Sequence, residues 1–262
     1  PYNINKVKIY GYGGALQPEG LTADYLTETD DLQQVAQCVV NGRHLFHATG
    51  PVNWASATAT ARTRNPYSSY GYYFITENDS TPLTLGEDAF KAAYYPLPHD
   101  YHSLYEVDDF SWYHGGRNLY DSQLFTIGTA RSYQLAATEG SAGKLTVVLT
   151  YNAPFTASVT VNGTAAGTFT IQSSLDSYSK AATIMKTFNV TGLTASNTVV
   201  IQQTAGGNVR LDYLSLQYDT PQSWPDLTSA TFPAPEYVHN ITNQDHHADA
   251  QADMVIIIPT TG

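Results

Sequence analysis

The chain reads as an all-β protein whose larger part is a β-sandwich or jelly roll, and three observations carry that reading. Between Leu119 and Tyr218, eight short apolar runs are separated by turns bearing Gly, Asn and Ser, the spacing of antiparallel strands laid into two sheets. Asn162-Gly163 lies between two of those runs and suits the positive φ angles of a two-residue hairpin turn. The composition agrees. Aromatic residues make up 12% of the chain and charged residues only 13%, so the polar surface is built mainly from Ser, Thr, Asn and Gln.

Taken in order, Val7-Lys8-Ile9-Tyr10 alternates as a half-buried strand and enters Gly11-Tyr12-Gly13-Gly14, read as a turn needing positive φ. Asp24–Asp31 reads as a polar, acidic loop. Val35–Val40 and Arg43–Ala48 read as a hairpin closed by Asn41-Gly42. Leu32, Val35, Ala36 and Val39 also fit a helical spacing, and the Asn-Gly turn decides against it. Gly50-Pro51 ends that unit, Trp54 follows, and Thr58–Ser69 reads as an exposed loop. Tyr70–Thr76 is an aromatic strand, with Tyr72, Phe74 and Thr76 alternating against Tyr73 and Ile75. Tyr94–Tyr113 is dense in aromatics and acids and closes at Gly115-Gly116. Residues 1–118 thus form a smaller β-rich N-terminal region.

The sandwich is expected over residues 119–219. Its strands are Leu124–Ile127, Tyr133–Ala136, Lys144–Leu149, Ser158–Val161, Gly167–Ile171, Ala182–Phe188, Thr198–Gln202 and Val209–Tyr218. Residues 220–252 form a proline-rich linker, with Pro221, Pro225, Pro233 and Pro235. Residues 253–262 carry Met254-Val255-Ile256-Ile257-Ile258, which reads as a strand covered on both faces. Burying its four aliphatic side chains beyond Met254 is worth about 6–10 kcal/mol. The expectation is a chain that breaks off just inside a further domain.

Charge and cysteine usage exclude several classes. The formal net charge of −11 argues against nucleic acid and anionic membrane surfaces as partners. No segment approaches the ~20 apolar residues of a membrane span, and Pro1-Tyr2-Asn3 opens no signal peptide. A single cysteine, Cys38, excludes an internal disulfide and any zinc site built from several cysteines. Low Lys with abundant Thr, Asn and Tyr suits a bacterial envelope-surface or secreted protein. Asn78, Asn162, Asn189 and Asn240 open Asn-X-Ser/Thr triplets, which matter only in a eukaryotic secretory pathway.

Three groups of residues have types that carry chemistry, each with a plainer reading beside it. Cys38 has His44 and His47 nearby in sequence, the pair a nucleophilic thiol needs. Yet Cys38 alternates with Ala36 and Val40, which reads as a small core residue. In Asp245–Asp253, His246, Asp249 and Asp253 would share one face of a helix, whereas His246 and His247 do not easily share one metal on a regular element, and a solvated entry loop is the simpler account. Glu106, Asp108 and Asp109, beside Tyr105, Phe110 and Trp112, have the residue types of a glycosidase's paired carboxylates. The plainer reading makes them acidic partners of Arg117 or a solvated loop. No catalytic or cofactor-binding residue is assigned. A structural calcium ion stays an open alternative without a ligand set of its own. The many tyrosines fit a sugar-stacking platform and ordinary strand residues equally well.

Several phrases, in this order, carry a resemblance. They are Val7–Gly14, Asp30-Asp31-Leu32, Leu45–Trp54, Tyr72–Thr76, Tyr105–Asp108, Gly116–Asp121, and His239-Asn240 leading into Ala252–Ile258. Together they resemble the non-catalytic region preceding the peptidase domain in gingipain-type cysteine peptidases, nearest to the PorU-type sortases of type IX secretion in Bacteroidetes. The resemblance implies that Asp253–Ile258 opens a caspase-like α/β domain whose His-Cys dyad lies past Gly262, so no catalytic role passes to Cys38 or any histidine here. Leu119 and Asp121 stand where the family tends to have an aromatic residue and Glu after Gly-Arg. Separately, Val209-Arg210-Leu211-Asp212-Tyr213-Leu214 resembles the closing strand of galactose-binding-like modules.

The resulting expectation is an accessory region of a secreted or surface cysteine peptidase, not itself catalytic. Its partners would be its own peptidase domain and, with it, secreted substrate proteins or glycans. The alternative is a carbohydrate-binding or adhesion sandwich of a bacterial surface protein. A glycan-active enzyme using Glu106 or Asp108 ranks last, for want of a second carboxylate that stands out as partner.

Overall fold

A computed structural model describes residues 5–18, 20–40, 43–54, 60–94, 101–113, 117–218 and 254–259. They fall into two compact units. The first carries, in chain order, β1 (Val7–Gly13), α1 (Ala23–Thr29), β2 (Gln37–Val40), β3 (Arg43–Ala48), β4 (Val52–Trp54), β5 (Arg62–Arg64), β6 (Tyr72–Glu77) and α2 (Glu87–Tyr94). β1 pairs antiparallel with β6, β2 with β3, and β4 with β5.

Several expectations need correcting in this unit. Gly11 and Gly13 do take positive φ, 149° and 70°, but the chain does not turn there. β1 continues through a bulge, stepping from Tyr10 opposite Phe74 to Gly13 opposite Tyr72, and the glycines absorb the extra residue. Asp24–Asp31 is not a loop, since most of it is α1. Thr22 caps that helix by accepting from the Tyr25 N–H at 3.1 Å, and Thr27 and Thr29 donate back to the carbonyls of Ala23 and Tyr25. No residue of α1 is buried, so no apolar period announced it. Val35 belongs to the segment lying along β1, its N–H on the Ile9 carbonyl at 2.8 Å, and β2 begins at Gln37. The helical alternative for Leu32–Val39 does not occur. β5 lies inside the expected loop Thr58–Ser69. α2, also unforeseen, places Phe90 in a core pocket with Cys38, Val40 and Leu45.

The second unit is the sandwich. It comprises β7 (Tyr101–Glu106), β8 (Ala130–Ala136), β9 (Gly143–Tyr151), β10 (Phe155–Val161), β11 (Thr164–Ile171), β12 (Ala182–Val190), β13 (Ser196–Gly206) and β14 (Val209–Tyr218). One sheet runs β11-β10-β13-β8 and the other β12-β9-β14-β7. The inward residues include Leu145, Leu149, Phe155, Phe169, Ile201 and Leu211, all buried in one continuous core. β10 alternates buried and half-buried residues along its whole length, as a strand with one covered face must. Asn162 (φ 49°) and Gly163 (φ 81°) form the anticipated turn between β10 and β11. Leu124–Ile127 is not a strand: it contributes a single bridge, Leu124 to Arg210. The eighth strand is β7, which lies before residue 119 and pairs with β14 from Glu106 opposite Tyr213 to Tyr101 opposite Tyr218.

β15 (Met254–Pro259) is the anticipated apolar strand, and it belongs to the first unit, antiparallel to β3. The expected linker, the Asn41-Gly42 turn, Gly115-Gly116, and the segment holding His246, His247, Asp249 and Asp253 lie outside the described residues.

Candidate functional site: an acidic cluster at a β-bulge

The candidate site is assembled by a defect in β14. Leu211 lies opposite Leu149, and Tyr213 lies opposite the next residue of β9, Val148. Asp212 is therefore the extra residue of a bulge, and bulges re-aim side chains. Glu106 ends β7 directly opposite Tyr213, and Asp108 follows two residues later. One carboxylate oxygen from each of Glu106, Asp108 and Asp212 lies within 4.8 Å of the others, and all three residues are half-buried.

A neighbouring brace holds this corner rigid. Asp109 accepts from the Ser122 N–H at 2.6 Å and from Ser122 Oγ at 2.7 Å, and these bonds hold its carboxyl below the usual carboxylate range. The guanidinium of Arg210 stacks 3.7 Å above the Phe110 ring and donates to the carbonyls of Asp121 and Ser122. Arg131 pairs with the buried Asp121 at 2.5 Å, and Trp112 Nε1 donates to Thr150 Oγ1 at 2.9 Å. Arg210 was not singled out for any such role in the sequence.

Paired glycosidase carboxylates stand about 5–5.5 Å apart in retaining enzymes and about 6.5–9.5 Å apart in inverting ones; here one oxygen from each of three carboxylates lies within 4.8 Å of the others. Three converging carboxylates supply hard oxygen donors, which suit Ca²⁺ far better than Zn²⁺. Asp109 of the expected trio is turned away to Ser122, and Asp212 takes its place. The bulge that recruits Asp212 depends on strand register, and a single sequence does not print register.

Cys38 sits in the first unit's core with Val40, Leu45 and Phe90. It lies opposite Leu45, whereas His44 lies opposite Val39, so Cys38 and His44 occupy opposite faces of the sheet and do not form a dyad. His44 is wholly buried, its Nδ1 3.1 Å from Gln37 Oε1, while Gln37 Nε2 donates to the Val7 carbonyl at 2.7 Å. Burial lowers the His44 pKa and takes that of His47 down to about 4.

Several of the phrases that carried the sequence resemblance come together within each unit. In the first unit, Val7–Gly14, Leu45–Trp54 and Tyr72–Thr76 converge where Gly14 N–H donates to the Thr49 carbonyl at 2.8 Å and Thr49 N–H to Tyr73 Oη at 2.7 Å. A Cβ on Gly71 would lie 2.7 Å from Gly14 N and 2.8 Å from the Thr49 carbonyl. In the second unit, Tyr105–Asp108 reaches the bulge, and Tyr120 and Asp121 bond to Phe110 and Leu211 beside it.

Among solved structures, dimeric latent PorU from Porphyromonas gingivalis matches 82% of this chain at 25% identity, with a TM-score of 0.61. This chain resembles part of PorU. It spans 22% of the PorU chain. A family 35 carbohydrate-binding module from Clostridium thermocellum matches 44% of this chain and 86% of its own, at 17% identity and a TM-score of 0.29. The family 35 module from Cellvibrio japonicus Abf62 matches 45% and 86%, at 18% identity and the same TM-score. Both superpositions are too loose to bear on function. No protein-family model and no curated protein sequence matches the chain.

Proposed function

We propose that the chain is a non-catalytic accessory region of a secreted or cell-surface cysteine peptidase of the gingipain type, akin to the PorU-type sortases. The observation that carries this reading is the likeness to PorU over 82% of the chain, which is more than either unit alone supplies. Its role is to scaffold the peptidase domain and restrict access to it, in keeping with the latent state of the PorU structure. No helix among the described residues is long and apolar enough to cross a membrane. The test has two arms. The purified chain should give no turnover of fluorogenic peptides. The reading frame past Gly262 should encode an α/β domain with a strand-end His and a later strand-end Cys. Turnover by the chain itself, or a stop codon after Gly262, removes the reading.

One observation favours glycan binding as a second reading. Tyr178 is 93% exposed in the loop that also supplies Lys180, whose Nζ lies 5.2 Å from the Tyr113 ring centroid and whose N–H donates to Tyr113 Oη. Two such rings offer faces on which a sugar can stack. Saturable glycan binding that is lost in Tyr178→Ala supports this reading, and a blank glycan array removes it.

A further inference from the structure

Lys8 in β1 is only 1% exposed, and lysine is almost never buried so fully unless its head group is paired. It lies opposite Thr76 of β6. Its Nζ reaches diagonally to Asn78, one residue past the end of that strand, and diagonal neighbours across a strand pair lie within reach of a long side chain. There Nζ donates to the side-chain oxygen Oδ1 and, at 3.3 Å, to the main-chain carbonyl. Asn78 Oδ1 also accepts from the Ser80 N–H at 3.0 Å and from Ser80 Oγ at 2.7 Å. The same two segments are joined again one step outward. Asn78 N–H donates to the Lys6 carbonyl at 3.4 Å, and Lys6 Nζ pairs with Asp79 Oδ1 at 2.6 Å. A primary amine and a carboxamide are thus held in contact by groups on both strands.

We propose that Lys8 and Asn78 form a covalent modification site, at which the chain joins them by an isopeptide bond. Lys8 Nζ attacks Asn78 Cγ, the Cγ–Nδ2 bond breaks, and an Nζ–Cγ amide takes its place. The amine enters as –NH3⁺ and keeps one hydrogen. The other two leave with Nδ2 as ammonium, so atoms and charge balance without an oxidant or an outside reactant. Negative charge gathers on Oδ1 in the tetrahedral intermediate, and Ser80 already directs two donors at that oxygen. Holding amine and amide together replaces a bimolecular encounter. Asn78 is exposed, so the ammonium passes into solvent. The bond spans seventy positions of the chain and ties β1 to the end of β6. In a chain whose single cysteine allows no internal disulfide, it restricts the unfolded state as a disulfide over a long loop does.

The test is the intact mass of the full chain, followed by tryptic mapping. After incubation at neutral pH the chain should be lighter by one ammonia than its sequence requires. Trypsin should fail to cut after Lys8 and should release residues 7–43 joined to residues 65–91, with tandem fragmentation placing the junction at Lys8 and Asn78. Lys8→Arg and Asn78→Ala should both have the full mass of their sequences. The parent chain decides the matter even where a variant fails to fold. A parent chain of full mass overturns the proposal. So does an ammonia loss that maps to a cyclised Asn-Gly pair, at residues 41–42 or 162–163, with Lys8 still cut by trypsin. An ammonia loss that persists in Lys8→Arg overturns it as well.

Discussion

Asp212 shows how far one residue's role depends on a neighbour's register. Without the bulge between Leu211 and Tyr213, strand alternation would send its carboxylate away from Glu106 and Asp108. Three carboxylates held this close repel one another, and a hard cation reverses that cost. Millimolar Ca²⁺ should raise the melting temperature of the parent chain by several degrees, and Asp212→Asn should abolish most of that rise. An identical calcium response in Asp212→Asn would remove the cation from this site. Gly71 makes the corresponding point in the first unit. The atoms a Cβ would strike belong to the Gly14 and Thr49 backbones and cannot rotate aside. Gly71→Ala should therefore cost about 1–3 kcal/mol in urea unfolding, and a cost near zero would show that this junction is slack.

Among the elements, those with an unmistakable period or turn were legible and those made by local capping or distant pairing were not. β14 runs from Val209 to Tyr218, as its apolar content dictated. β10 and β11 follow from Asn162-Gly163. Gly163 has φ 81° and open space around its Cβ position, so Gly163→Ala strains the backbone and nothing else. The expected penalty is about 1–2 kcal/mol, read as a lower urea midpoint with an unchanged slope. A larger loss, or a changed slope, would mean that the hairpin turn is not the only thing altered. α1 escaped notice because its stabilising contacts are Thr22 with Tyr25 and two threonine back-bonds, none of which has an apolar signature. β7 escaped because Tyr101–Glu106 is unremarkable until β14 offers it an edge.

For the molecule as a whole, two buried histidines and two hydrogen-bonded aspartates point to acid sensitivity. His47 has an ordinary pKa of 6.5, lowered to about 4 by burial, and His44 is lowered for the same reason. Between those values the unfolded chain takes up protons that the folded chain refuses, so stability falls as pH falls. The contribution from the two histidines is complete above about pH 6.5, and for His47 it is lost by about pH 4. For His47 the loss is at most about 3 kcal/mol. Asp109 and Asp176 are held below the ordinary carboxylate value of 3.8, chiefly by bonds from Ser122 and Tyr178 respectively. They add a second loss as pH drops through their range. Urea midpoints should decline in two steps, and His47→Gln should flatten the upper one. A midpoint unchanged between pH 7 and pH 4 would contradict the burial of these rings.

The sequence by itself determined the mostly β character, seven of the sandwich strands and the Asn162-Gly163 hairpin turn, because periodicity and turn chemistry are properties of adjacent residues. It also carried the ordered phrases that resemble the gingipain-type region. Only the tertiary structure decided which strands neighbour one another, and with that the recruitment of β7 to β14, the docking of β15 on β3 and the meeting of Asp212 with Glu106. Those pairings join residues far apart in the chain through backbone hydrogen bonds, and every residue except proline offers the same donor and acceptor. Side-chain identity therefore says that a strand will pair, and the fold says with what.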